Sequence, residues 1–234
     1  MPEAAPARAP LRVAMIGPVP HIYGGISAVA GAILDSELPS RCRLIYLTEG
    51  TRQGPLAKLA SALAALWRLV SLLLRDQIDL LHLHVGDGSS FYRHMGYLAL
   101  GRLAGAPVVL HWHVPGAGDG QDAGLSSGVQ RRLARWAIGR AARVLVLSPA
   151  WAATLASLAD QPDASRRLVV LPNPVDCQHI RPPEDPIRRS DVVLFLGDFS
   201  PRKGVRDLLA AAPAVAQQRP AVRFVIAGGQ PPAD

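Results

Sequence analysis

The chain has 234 residues, 49% hydrophobic and 18% charged, which excludes a disordered segment and allows one large or two small domains. Its formal charge of +7 and pI near 10.2 come mostly from arginine and favour anionic partners: nucleotides, phosphorylated lipids, an acidic membrane surface or nucleic acid. Aromatic residues make up only 5% and no nucleic-acid motif accompanies the charge, so nucleic acid is not an expected partner.

Residues 1–10, rich in Ala and Pro, read as a flexible tail that lacks the basic start and apolar centre of a signal peptide. Strand-like runs follow at Leu11–Ile16, Arg43–Thr48, Asp79–His84, Pro107–His113, Arg143–Ser148 and Arg167–Leu171. Most are continuous Val/Leu/Ile stretches, the pattern of parallel strands covered on both faces. Helical segments lie between them near Ile26–Asp35, Leu56–Arg75, Phe91–Ala104, Gly128–Ala141 and Pro149–Ala159. Strands separated by crossover helices imply an α/β fold with a Rossmann-like, doubly wound parallel sheet over residues 11–172. The two cysteines, Cys42 and Cys177, are too far apart in sequence to suggest a metal or disulfide framework, and a cytoplasmic setting is the simplest.

Leu56–Leu74 is apolar over about one transmembrane length. Lys58, Ser61, Arg68, Ser71 and Arg75 fall on one stripe at helical spacing, so a buried crossover helix with a solvated stripe is expected. An interfacial membrane helix is the alternative. The segment 173–191 holds four prolines among closely spaced charges and reads as a linker. A second unit follows at 192–234: strand Val192–Gly197, a helix from about Gly204 that Pro213 should kink or end, and strand Arg223–Ala227. About 45 residues are too few to bury a core alone, so this reads as the first strand–helix–strand of an incomplete second Rossmann-like domain.

Several motifs carry chemistry. Gly17-Pro-Val-Pro-His-Ile-Tyr-Gly24-Gly25-Ile26 runs from the first strand into a helix. Two glycines at a helix start let a phosphate approach free backbone N–H groups and the positive end of the dipole, or simply permit a turn. His82 with His84, and His111 with His113, stand two apart near the carboxyl ends of two strands, where each pair shares one sheet face and where ligands bind in such sheets. Without a cysteine or well-placed carboxylate no metal site is expected. The inner members should pack in the sheet and the outer ones, His84 and His113, should contact substrate. Gly116–Gly124 suits a mobile lid or a plain surface loop. The arginines around Trp136 form either a solvated basic helix face or a seat for anionic lipid. In the second unit, the loop before the Val205 helix presents Lys203 and Gly204 for an anion.

In order and spacing, these pieces resemble the retaining, nucleotide-sugar-dependent glycosyltransferases of family 4, which have the GT-B fold. The matching stretches are the Gly24-Gly25 loop, Asp79-Leu-Leu-His-Leu-His84, Val109-Leu-His-Trp-His113 and Val146-Leu-Ser148. They continue in Leu171-Pro-Asn-Pro-Val-Asp176 and Phe195-Leu-Gly-Asp-Phe-Ser-Pro-Arg-Lys-Gly204. The resemblance implies an N-terminal acceptor domain and a C-terminal domain for a nucleotide diphosphate sugar, with no obligatory metal or other cofactor. It places Gly24 and Gly25 beside the donor diphosphate or transferred sugar, His113 at the reacting centre and Lys203 on the diphosphate. Asp198 stands where the family usually has an arginine, and a carboxylate there would repel the diphosphate.

The expected function is hexosyl transfer from a nucleotide sugar to a glycan, lipid-linked or polysaccharide acceptor at the cytoplasmic side of a membrane, with peripheral contact to anionic lipid. The family's donor-holding glutamate motif lies beyond Asp234, so the 234-residue chain alone is expected to be inactive. The alternative is a non-catalytic Rossmann-like binding module or subunit for a phosphorylated or lipid ligand. An NAD-dependent oxidoreductase fits the fold class but lacks the dinucleotide glycine fingerprint.

Overall fold

The structure, a computed structural model, describes residues 9–22, 24–50, 54–114, 125, 127–159, 163–175, 177, 180, 191–197, 199 and 203–229. The chain divides into two compact units, Met1–Asp176 and Cys177–Asp234.

The first unit carries β1 (Arg12–Gly17), β2 (Arg43–Thr48), β3 (Leu80–Val85), β4 (Val108–Trp112), β5 (Arg143–Val146) and β6 (Leu168–Val170). They form one parallel sheet in the order β2-β1-β3-β4-β5-β6. Its helices are α1 (Gly25–Leu34), α2 (Leu38–Arg41), α3 (Pro55–Leu74), α4 (Gly88–Leu103), α5 (Gly128–Arg140), α6 (Pro149–Ala159) and α7 (Ala164–Arg167). The chain moves one way along the sheet from β1 to β2 and the other way from β2 onward. Right-handed crossovers therefore put α1 on one face and α3 to α6 on the other. The sheet is α/β, Rossmann-like and doubly wound.

The strand register separates the two faces. Ile16, Leu83, Leu110 and Val144 form one cross-strand row, and Val85, Trp112 and Val146 the next. These rows meet Leu69 of α3, Phe91 and Leu98 of α4, Ile138 of α5 and Leu155 of α6 in a single buried cluster. Each such side chain contributes about 1.5–3 kcal/mol by leaving water. The opposite face carries Met15 beside His82, and His84 beside His111. There α1 buries Val29 and Ala30, outside the main cluster. At α5, the Gln130 backbone N–H donates to Ser127 Oγ and the Ser127 N–H to Gln130 Oε1, a reciprocal cap that sets where the helix starts.

Two expectations about helices need correcting. The crossover helix α3 does bury Ala65 and Leu69 against the sheet. Its outward row is nevertheless apolar: Leu56 is 83% exposed, Trp67 74% and Leu74 83%, with Leu59 and Leu63 between them. The polar stripe takes one side of this helix and the sheet covers another, which leaves a third, apolar side facing outward. The second correction concerns the second unit, where β7 (Val192–Leu196) pairs in parallel with β8 (Arg223–Ala227) across α8 (Val205–Gln218). Helix α8 runs through Pro213. That proline is exposed, so the carbonyl it leaves without an intrahelical donor can meet water. Within this unit Leu194 and Leu196 of β7 and Leu209 of α8 are exposed, and α8 buries only Val205 among its described residues.

Candidate active site

The carboxyl ends of β1, β3 and β4 bring together most of the first unit's expected site residues. Strand β1 ends at Gly17, whose backbone lies between Tyr46 and His84. A Cβ there would sit 2.6 Å from Tyr46 Oη and 3.2 Å from His84 Cδ2, so only glycine lets the two rings close in. The Tyr46 hydroxyl donates to the Pro18 carbonyl at 2.6 Å, fixing the first step of the loop. The loop then turns at His21, which has a left-handed φ of 59°. Its ring lies over Gly31 of α1 and faces Asp35 at 3.7 Å.

Gly24 caps α1 with φ +132°, a conformation that favours glycine, and without a side-chain hydrogen bond. No acidic residue occupies the first turn, and a Cβ on Gly25 would meet none of the described residues within 4 Å. Among the described residues nothing fills the space at this helix start, as an approaching anion requires. A Cβ on Gly86, just after β3, would lie 3.2 Å from Ile26 Cδ1, so the first turn of α1 stands at the end of β3.

The four histidines form one array. His84 and His111 are register partners, and the His84 and His113 rings stack with centroids 5.3 Å apart. His84 Nδ1 and His113 Nε2 share a hydrogen bond of 3.1 Å, one ring donating and the other accepting. Burial does not separate the inner members from the outer ones. His84 and His111 are each 1% exposed and His113 9%, while the inner His82 is half-buried with its Nε2 enclosed. The reason is that the rings stack on one another along the sheet face, so position on the strand does not set exposure.

Burial, with neighbouring imidazoles as a further cause, holds His82 and His113 down to about 3, and burial alone holds His111 down to about 4. His84 is lowered for the same two reasons. The array is therefore neutral at neutral pH and suited to accept or donate hydrogen bonds rather than to supply a cation.

Nε2 of His82, Nε2 of His84 and both ring nitrogens of His111 have no hydrogen-bond partner among the described residues. Ligand atoms of His82, His84 and His111 lie within 4.8 Å of one another, close enough to raise the question of a metal ion. The geometry fits poorly. The His82 and His84 rings are 13° from parallel with centroids 4.8 Å apart, and lone pairs in such planes do not converge without rotation of a ring.

A second cluster on the helical side of the sheet escaped the sequence. Glu49, directly after β2, is 4% exposed and accepts from Arg93 Nε at 3.2 Å, Arg93 Nη2 at 3.3 Å and the Tyr97 hydroxyl at 3.2 Å. His94 Nδ1–H donates to the Ser90 carbonyl at 2.8 Å and lies 3.5 Å from Glu49. The contact pins the loop after β2 to α4. Burial first, then Glu49, raises the Tyr97 hydroxyl pKa.

Lys203 belongs to the second unit, exposed and directly before Gly204, which caps α8 at φ 76°. Asp207 in the first turn of α8 already complements the helix dipole, which makes that terminus less open to an anion than the start of α1. Asp198 and the loop Gly116–Gly124 lie outside the described residues.

The model of the glycosyl transferase 4-like domain matches residues 7–174, well over half of the chain. The chain belongs to this glycosyltransferase family. The match takes in Gly24, Gly25, His84 and His113 of the transferase domain but not Lys203. Among solved structures, the chain is similar to Anabaena HepE, whose structure was determined in complex with UDP-glucose. The two share 17% identity at a TM-score of 0.53, over 96% of this chain and 62% of that one. The chain thus spans less than two thirds of HepE's length, and the likeness is one of fold. No curated protein matches it.

Proposed function

We propose that the protein transfers a hexosyl group, with retention of configuration, from a nucleotide diphosphate sugar to a glycan or lipid-linked acceptor on the cytoplasmic side of a membrane. The observation that carries the reading is the meeting of an uncapped glycine helix start with the His84–His113 pair at one sheet edge, within the family-matched residues. In the reaction the acceptor hydroxyl oxygen bonds to the anomeric carbon as the bond from that carbon to the diphosphate breaks, and the hydroxyl proton passes to the departing diphosphate oxygen. Negative charge then grows on the leaving diphosphate, and fixed donors aimed at it lower the barrier. The open N–H groups of Gly25 and its neighbours are the groups assigned to that charge; the Lys203 ammonium, in the second unit, is assigned to a donor diphosphate by its motif alone. His113, neutral and held by His84, is assigned to a sugar hydroxyl beside the reacting centre. No step is assigned to a metal.

The reading is tested by measuring nucleoside diphosphate release from UDP- and GDP-sugars by the native protein. His113→Ala and Lys203→Ala are each expected to slow release at least about a hundredfold while leaving the thermal midpoint within a few degrees. Equal turnover in both variants would show the site assignment to be wrong. Binding without release in the wild type would favour a non-catalytic module.

A further inference from the structure

We propose that the outward face of α3, continued by α4 and α5, is a docking surface for a bilayer with anionic headgroups. Leu56, Leu59, Leu63, Trp67 and Leu74 recur at helical spacing and all are exposed. They form one apolar row along a helix of 20 residues. By length and composition α3 would pass as a membrane span. Yet it connects two strands of the same sheet and buries Ala65 and Leu69 against it, so it lies along a surface rather than through a bilayer.

Charge identifies the occupant. Arg68 and Arg75 stand about 100° around the helix from the row, where snorkelling cations reach headgroups as apolar side chains enter the acyl boundary. Helix α4 packs between α3 and α5. Between α4 and α5 a groove is lined by Ala99, Arg102, Leu103, Trp136 and Arg140, again cations set around apolar groups. Helices α3, α4 and α5 contain no aspartate or glutamate. A second copy of this chain is the poorer occupant. A two-fold contact through α3 would bring Arg68 and Arg75 toward their own copies, with no carboxylate on the helix to neutralise them. An anionic bilayer supplies the missing charge over the whole face.

The test is flotation of the full chain with vesicles of phosphatidylcholine alone or with one third phosphatidylglycerol, at low and high salt. Donor and acceptor are left out, so the outcome is independent of sugar transfer. The chain is expected to float with the anionic vesicles and to be released at least in part by high salt. The double variant Leu63→Glu with Trp67→Glu, at exposed positions, is expected to lower partition at least about tenfold at an unchanged thermal midpoint. Arg68→Glu with Arg75→Glu should do the same at low salt only. No flotation of the folded wild type, equal partition into neutral vesicles, or undiminished flotation of the Leu63/Trp67 variant would each overturn the proposal. So would a dimer in sedimentation velocity that this variant dissociates while vesicles bind neither form.

Discussion

His84, His111 and His113 show how a residue's chemistry depends on neighbours that its own sequence position does not name. The spacing of two puts each pair on a shared strand face, and that much was legible. The pairing of His84 with His111 depends on the β3–β4 register, which the sequence does not encode locally. The same holds for Glu49 and Arg93, 44 residues apart, whose contact reveals nothing of itself in either local segment. The histidine array makes a definite statement about pH. Folding lowers these imidazoles from an ordinary 6.5 to about 3 or 4 at His82, His111 and His113. Below about 6.5 the unfolded chain takes up protons that the folded chain refuses, so their contribution to stability is full above that pH and falls as pH drops toward 3–4. Each such histidine steepens the loss by at most about 1.4 kcal/mol per pH unit. Asp79, held down to about 2 chiefly by its side-chain hydrogen bond to Arg12, acts in a lower window, below about 4. Urea unfolding between pH 7 and 5 should therefore show a falling midpoint before any carboxylate window is reached. A flat midpoint over that range would mean that the histidines are solvated.

Among the elements, the long periodic ones were legible because alternation of apolar runs and amphipathic segments fixes a parallel α/β sheet almost by itself. The two short helices α2 and α7 were missed, since four residues give no periodicity to read. Pro213 does not end α8, because the helix is exposed there and the carbonyl that loses its donor can meet water. At α3 the composition identified the helix but not its outward side, because apolar residues lie on both sides of the polar stripe and only one of these sides is buried. The start of α1 offers a sharper contrast. Gly24 at φ +132° should cost about 1 kcal/mol or more when changed to Ala, through backbone strain. Gly25→Ala has room for its Cβ and should leave the urea midpoint almost unchanged. Equal costs at the two positions would contradict the geometry assigned to this cap.

The first unit of the molecule is a Rossmann-like sheet whose apolar face anchors the helices and whose other face carries the histidines to the carboxyl edge. Family membership rests on that unit, whose matched residues include Gly24, Gly25, His84 and His113. Lys203 is the exception, lying in the second unit and outside the matched residues. The proposed donor is a nucleotide diphosphate sugar. Isothermal calorimetry of the chain with a panel of UDP- and GDP-sugars tests it most directly. The expected result is saturable binding to at least one of them, weakened at least about tenfold by Lys203→Ala and by replacement of Gly25 with Val. The contradicting result is a folded chain that binds no member of the panel, or binding that neither change weakens.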